Sequence, residues 1–270
     1  MKQLFLALQF LTILPLKVRG TVTEKDMSGS AVFFPVAGAF QGLLAVCTAL
    51  LSANFFSFEI TSGLVLLTFI VINGGFHLDG LADTFDALAV KSSGDHTADR
   101  DRKLSIMKDS TTGAIGVIAI VMTILFKFLF LNNLLISSPP ASNYVFLFLM
   151  PVFSKWGMVA TMYHGNSARL DGLGKMFIDH ITLVTIVLAS LFLIFFYVAA
   201  DMLYLNKTYG AGSVILFFVL FAMSYIFCLL SIKFFDNRFG GLTGDTLGAA
   251  GEISEILFLM VASLWLQHSI

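Results

Sequence analysis

Seven stretches of this chain, near residues 31–53, 60–88, 113–136, 141–163, 181–205, 212–233 and 246–266, stay apolar over the length a helix needs to cross a bilayer, roughly 20 residues. Nothing else in the sequence restricts the fold as strongly. With 57% hydrophobic and only 12% charged residues, the chain reads as all-α, a polytopic membrane helix bundle with about seven spans. No internal repeat or low-complexity segment marks a boundary. Residues 1–270 therefore read as a single integral membrane domain, with an N-terminal segment over 1–30 and the bundle over 31–266.

The short connections alternate in charge. Lys and Arg number four in 1–30, five in 89–112, two in 164–180 and two in 233–245, while the opposite side holds Lys207 alone and Lys127 and Lys155 fall inside spans. By the positive-inside rule the thirteen face the cytoplasm, which places the N-terminus inside and the C-terminus outside. The opening "LFLALQFLTILPL" has the apolarity of a signal peptide, but "KVRG" follows it instead of a small-residue cleavage site, so it reads as retained, interfacial or re-entrant. Cys47 and Cys228 lie within apolar runs and suggest packing, not a disulfide or zinc site. The 29 Phe read as packing and lipid-facing bulk for the same reason. A net charge of −1 gives no global argument for a nucleic-acid partner. Any charge-based chemistry must come from local placement.

That placement is one-sided, because every polar, glycine-bearing stretch falls on the expected cytoplasmic face. In "GGFHLDGLADTFDAL" (74–88), Asp79, Asp83 and Asp86 are spaced i, i+4, i+7, which on a helix sets them within an arc of about 60°. Carboxylates this close repel one another, so they must bind protons or hold a cation. Hard oxygen ligands suit Mg²⁺ or Mn²⁺. Two other readings stay open here: a solvated acidic helix end, and a proton relay of the kind a transporter uses. Gly74, Gly75 and Gly80 would permit close approach of a ligand to the backbone. His77 is a hydrogen-bond donor, a base or an interface residue.

The next polar loop, "DRDRKLSIMKDSTTGAIG", supplies the opposite sign through Arg100, Arg102, Lys103 and Lys108, just before a helix expected to start near Gly113 with Ser110, Thr111 and Thr112 as capping candidates. Basic side chains beside a helix N-terminus suit phosphate. The need for orienting charge accounts for Arg100 and Lys103 but not for the compact Lys108, Asp109, Ser110. "RFGGLTGDTLGAAGE" again combines glycine, hydroxyl and carboxylate, with Arg238, Thr243, Gly244 and Asp245, and with Glu252 at i+7 from Asp245 on the same face. "ARLDGLGK" adds Arg169 and Lys175. Metal-holding carboxylates, phosphate-binding bases and glycine turns on one face together describe phosphoryl-group transfer, with one carboxylate free to act as general base.

The motifs "GGFHLDGLADTFDAL", "RKLSIMKDSTTGAIG" and "GGLTGDTLGA", in this order, resemble those of the cobalamin synthase (adenosylcobinamide-GDP ribazoletransferase) family. The weaker "ARLDGLGKMF", "FLTILPL" and "FFPVAGAFQG" fit the same pattern, so the likeness runs from near residue 10 to near 255. It implies a multi-pass enzyme of the cytoplasmic (inner) membrane, surrounded by lipid, that requires Mg²⁺. The implied reaction joins adenosylcobinamide-GDP to α-ribazole, or its 5′-phosphate, releasing GMP and giving adenosylcobalamin or its 5′-phosphate. The aspartate motif falls on Asp79, Asp83 and Asp86, the basic motif on Lys108, Asp109 and Ser110, and the glycine motif on Thr243, Gly244 and Asp245. Departures are Ser105, Thr111 and Ile115, where the family pattern has Glu, Arg and Phe, and Asp171 in place of a Glu.

The expected mechanism has Asp79 and Asp83, joined by Asp86 and Asp245, hold Mg²⁺ on the diphosphate. Lys108 and Arg238 neutralise the departing GMP, and Asp86 or Asp245 deprotonates the attacking hydroxyl. His77, Arg102, Asp109, Ser110, Arg169, Thr243, Gly244 and Glu252 complete the expected substrate contacts. An oligomer is left open. The competing classes are a phosphotransferase of the CDP-alcohol type, whose longer aspartate signature is absent here, and an ion- or proton-coupled transporter, which would spread charge across the bilayer depth.

Overall fold

The computed structural model describes every residue except Arg19, Ser110, Ser138, Pro139, Ser269 and Ile270, and only the backbone at 140–142. Ser110, an expected phosphate contact, therefore lies outside the described residues, as does Arg19 of the orienting charges. The described chain is all-α, with no strand. Its helices are α1 (Lys2–Leu11), α2 (Glu24–Ser30), α3 (Phe34–Ser52), α4 (Phe58–Ile72), α5 (Phe76–Leu88), α6 (His96–Ile106) and α7 (Ala114–Ile136). They continue with α8 (Pro140–His164), α9 (Leu173–Ile178), α10 (Leu183–Ala200), α11 (Asn206–Tyr209), α12 (Gly212–Phe239) and α13 (Gly244–His268).

Among the described residues, six helical runs are long and apolar enough to cross a membrane, namely Glu24–Ser52, Ala114–Ile136, Asn143–His164, Leu183–Tyr209, Gly212–Phe239 and Gly244–His268. The first starts at Glu24, seven residues before the expected boundary at 31. A Thr23 capping box begins it, with Asp26 accepting a hydrogen bond from the Thr23 amide. The apolar stretch of α8 is 89% buried, against 28% for those of α7, α10 and α12. So α8 is the hub, and those three face lipid. Close approach of α3 to this hub depends on glycine: a Cβ at Gly38 would collide with Pro151 O, and one at Gly42 with Phe148 O.

The expected span over 60–88 is not one helix. It breaks into α4 and α5, bent by 84°. Asn73 ends α4, and Gly74 and Gly75 follow at φ +62° and +74°, a conformation that favours glycine. Gly75 N–H bonds Ile70 O and Gly74 N–H bonds Val71 O, the two hydrogen bonds of a Schellman stop. These two glycines thus make the turn instead of opening the backbone to a ligand.

A helix end buried in the protein, as Ile72 and Asn73 are, leaves carbonyls that must find donors within the chain. The N-terminal segment supplies the remaining donor, Ile13 N–H to Ile72 O at 2.8 Å. Buried Gln41 ties the same place together by donating to Leu11 O and to Asn73 Oδ1. Lys2 binds Thr21 O and Asp26, which ties the start of α1 to the start of α2.

Candidate active site

After the break, α5 packs alongside the start of α13. Two glycines set the separation: a Cβ at Gly80 would lie 2.8 Å from Asp245 Cα, and one at Gly248 would lie 3.2 Å from His77 Cα. This packing brings the acidic and glycine motifs together. Asp79, Asp83 and Asp86 occupy one face of α5, and Asp83 stands in the combined field of Asp79, Asp245 and Asp86, opposed by Arg169.

Arg169 reaches the cluster because its loop is stitched to the turn before α13. Leu242 N–H donates to Asn166 O at 2.7 Å, and Ala168 N–H donates to Leu242 O at 2.8 Å. Arg169 then donates to Asp245 Oδ2 at 2.8 Å. The Thr243 hydroxyl accepts the Thr246 amide while the Thr246 hydroxyl accepts the Thr243 amide, a capping box that starts α13. Between loop and turn lies a cleft of about 220 Å³ lined by Arg169, Asp171, Lys175, Thr243, Gly244 and Asp245. Lys108 comes to its rim through an exposed ion pair with Asp171 at 3.4 Å.

Arg100 is a contributor that sequence reasoning assigned to membrane orientation alone. Its guanidinium donates to Ala168 O at 3.1 Å and packs where a Cβ at Gly240 would collide with its Cζ. It thereby braces the Arg169 loop against the end of α12. No local sequence signal marks this, since its partners lie 68 and 140 positions away.

Other expected site residues sit elsewhere. Glu252, placed by helical phase on the Asp245 face, is buried two turns deeper and accepts from Lys127 at 2.6 Å. Lys127 also reaches Glu255 at 2.6 Å, and Lys155 reaches Glu255 at 3.2 Å. His77 belongs to this interior network through Lys155, so neither His77 nor Glu252 faces the cleft. Asp86 gives both oxygens to backbone amides at the start of α7, those of Gly113 and Gly116. Asp109 accepts from the amide and hydroxyl of Thr111 within its own loop. Arg102 and Arg238 are exposed, the latter over the Phe234 ring, and among the described residues no hydrogen bond or ion pair joins either to the aspartates.

The cobalamin-5-phosphate synthase family model matches residues 3–263. Three relatives, each an adenosylcobinamide-GDP ribazoletransferase, align along nearly their whole length. The protein of Thermodesulfovibrio yellowstonii is 35% identical, covering 97% of this chain and 98% of the relative. That of Clostridium acetobutylicum is 30% identical over 96% and 94%, and that of Geotalea daltonii 32% over 95% and 94%. No solved structure matches the chain. A match this complete, over the segments that build the cleft, shows that the chain belongs to the cobalamin-5-phosphate synthase family.

Proposed function

We propose that the protein transfers the phosphocobinamide group of adenosylcobinamide-GDP to α-ribazole or α-ribazole 5′-phosphate, releasing GMP and giving adenosylcobalamin or its 5′-phosphate. The observation that carries this is the Arg169–Asp245 contact, which joins two motif loops into one cleft beside the aspartates of α5. The excess of Lys and Arg on this end of the bundle favours a cytoplasmic-facing site in the inner membrane.

The donor chemistry fits Mg²⁺. Among the described residues no three of His, Cys, Asp and Glu form a ready cage, but Mg²⁺ is commonly held by one or two carboxylates together with substrate phosphates and water. Asp79 and Asp83 are one turn apart on α5, and among the described residues neither side chain has a hydrogen-bond or ion-pair partner. They would hold the ion, which supplies charge neutralisation on the diphosphate.

The remaining work falls to the chain's own groups. Arg169, Lys175 and Lys108 bind and orient phosphate oxygens at the cleft and its rim. Asp245, oriented through Oδ2 by Arg169, takes the proton from the ribazole hydroxyl. As the new P–O bond forms, the bond from the cobinamide phosphate to GMP breaks, and the same cationic groups stabilise the departing charge. The interior charges do not favour transport: Lys127 and Lys155 are matched by Glu252 and Glu255 in one closed set. The test is purified protein in nanodiscs with adenosylcobinamide-GDP, α-ribazole and Mg²⁺. Equal amounts of GMP and adenosylcobalamin are expected, and no GMP with both substrates present overturns the proposal.

A further inference from the structure

Helix α7 begins without a cap of its own. Gly113 holds its N-cap position and has no side chain to offer the free amides of the first turn. The acceptor comes from another helix: Gly113 N–H donates to Asp86 Oδ2 at 2.6 Å, and Gly116 N–H donates to Asp86 Oδ1 at 2.8 Å. An anion at a helix N-terminus is also favoured by the helix dipole. Both glycines make room for it, since a Cβ at 113 would stand 2.6 Å from Oδ1 and one at 116 would collide with Oδ2.

Asp86 therefore differs from Asp79 and Asp83, although the three share a helix face. Its two oxygens are committed to two amides, while the other two carboxylates have no such partners among the described residues. Each oxygen keeps a lone pair, but the two amides hold the carboxylate plane against the start of α7. Two-point attachment fixes both the rotation of α5 about its axis and its slide along α7. Either movement would turn the Asp79 and Asp83 carboxylates away from the Asp245 and Arg169 side of the cleft.

We infer that Asp86 is a positioning residue: by capping α7 from outside it aims Asp79 and Asp83, and it neither binds metal nor accepts the substrate proton. The catalytic part of this inference rests on the ribazoletransferase reading. A misplacement of about 1 Å can cost roughly a hundredfold in rate, so even a small rotation of α5 should be visible in turnover.

The experiment compares wild type, Asp86→Ala, Asp86→Ala/Gly113→Ser and Gly113→Ala in nanodiscs. Readouts are GMP release at varied substrate and Mg²⁺, thermal unfolding, and amide hydrogen exchange. Asp86→Ala should lower kcat by on the order of ten- to a hundredfold, and any rise in the half-saturating Mg²⁺ concentration that follows from misaimed Asp79 and Asp83 should be the same in Gly113→Ala. In the double variant the introduced serine hydroxyl caps α7 from the helix's own N-cap position. Unfolding temperature and protection of the amides in the first turn of α7 should recover, while α5 stays underprotected and kcat stays low.

Gly113→Ala displaces the Asp86 carboxylate without altering any charge, and the three nearest atoms in its way all belong to that side chain. It should reproduce the kcat loss. Recovery of kcat together with stability in the double variant would reduce Asp86 to a structural cap and overturn the inference. A raised Mg²⁺ requirement in Asp86→Ala that is absent in Gly113→Ala would make Asp86 a ligand and overturn it too. If the wild type releases no GMP, the functional reading fails, and exchange still decides the inference: loss of α5 protection in Asp86→Ala that the added Gly113→Ser change does not restore supports it, and full restoration sinks it.

Discussion

The Lys155 ammonium lies 3.3 Å from Nδ1 of His77, joining the middle of α8 to the first turn of α5 where both side chains are buried. Through Glu255 this contact extends to Lys127 and Glu252, so α5, α7, α8 and α13 meet at one closed set of charges. Such a set is retained at the expense of desolvation, and removing one partner leaves a buried charge uncompensated. Lys127→Met should therefore destabilise the protein by about 3–5 kcal/mol, read as thermal unfolding in nanodiscs. Lys127→Met/Glu252→Gln, which removes the stranded charge as well, should recover most of the loss. A single variant that unfolds like wild type would deny the network its structural role.

Arg100 offers a test of loop support away from any reacting group. Its bond to Ala168 O links a cation to a carbonyl, an interaction worth about 1.5–3 kcal/mol. Gly240 sits at φ +73°, and a Cβ there would run into the same guanidinium. Arg100→Ala and Gly240→Ala should both loosen the Arg169 loop and raise KM more than they lower kcat. Equal substrate saturation curves for wild type and Arg100→Ala would show that the loop holds itself.

These two tests mark where the sequence was legible. Membrane crossings are, because bilayer thickness imposes a run of roughly 20 apolar residues that composition alone reveals. The helical phase of Asp79, Asp83 and Asp86 also held, within α5. Phase shows which residues share a face, however, and not what that face meets. The same argument put Asp86 with Asp79 and Asp83, and Glu252 with Asp245, whereas α7 claims the first and Lys127 the second. The signal available for Glu252 was the presence of two lysines and two glutamates inside spans, which lipid forces to pair. Asn73, Gly74 and Gly75 carried the break openly, but the apolar run on either side masked it. Arg169 and Asp245, 76 positions apart, had no local sign of contact.

Asp99 gives the polar end a defined acid limit. The Ser92 hydroxyl, the Ser93 amide and the Ser93 hydroxyl all donate to its carboxylate and pull its pKa down to about 2. Because the folded value lies below the ordinary 3.8, the stabilisation is fully present above the ordinary value and is lost as pH falls through about 2. Exchange protection of the Ser93 amide should thus be constant from neutral pH down to about 4 and fall below it, with Asp99→Asn showing the low-pH level throughout. Protection that instead declines between pH 7 and 5 would contradict the assignment.

Asp79→Asn and Asp83→Asn keep the size of each side chain and remove its charge. If these carboxylates hold Mg²⁺, each variant should remain inserted and folded while GMP release falls at ordinary Mg²⁺ by about a hundredfold or more, the scale of losing a transition-state electrostatic contact. Partial recovery at high Mg²⁺ is expected. Near-normal turnover in either variant would sink the metal assignment.

The Arg169–Asp245 pair is partly exposed, at 18% and 24% for the two side chains, so its value as an ion pair alone is modest. Its importance should lie in orientation, and a double-mutant cycle separates the two. If Arg169 acts by aiming Asp245, then Arg169→Met should lower kcat/KM by about ten- to a hundredfold, equivalent to roughly 1.4–2.7 kcal/mol. In an Asp245→Asn background the same change should cost less, because the group being aimed is already disabled and only the phosphate contact of Arg169 remains to be lost. The coupling is expected at about 1–2 kcal/mol. Additive losses would mean that the two residues act independently, with Arg169 binding phosphate and leaving Asp245 unaided as the proton acceptor.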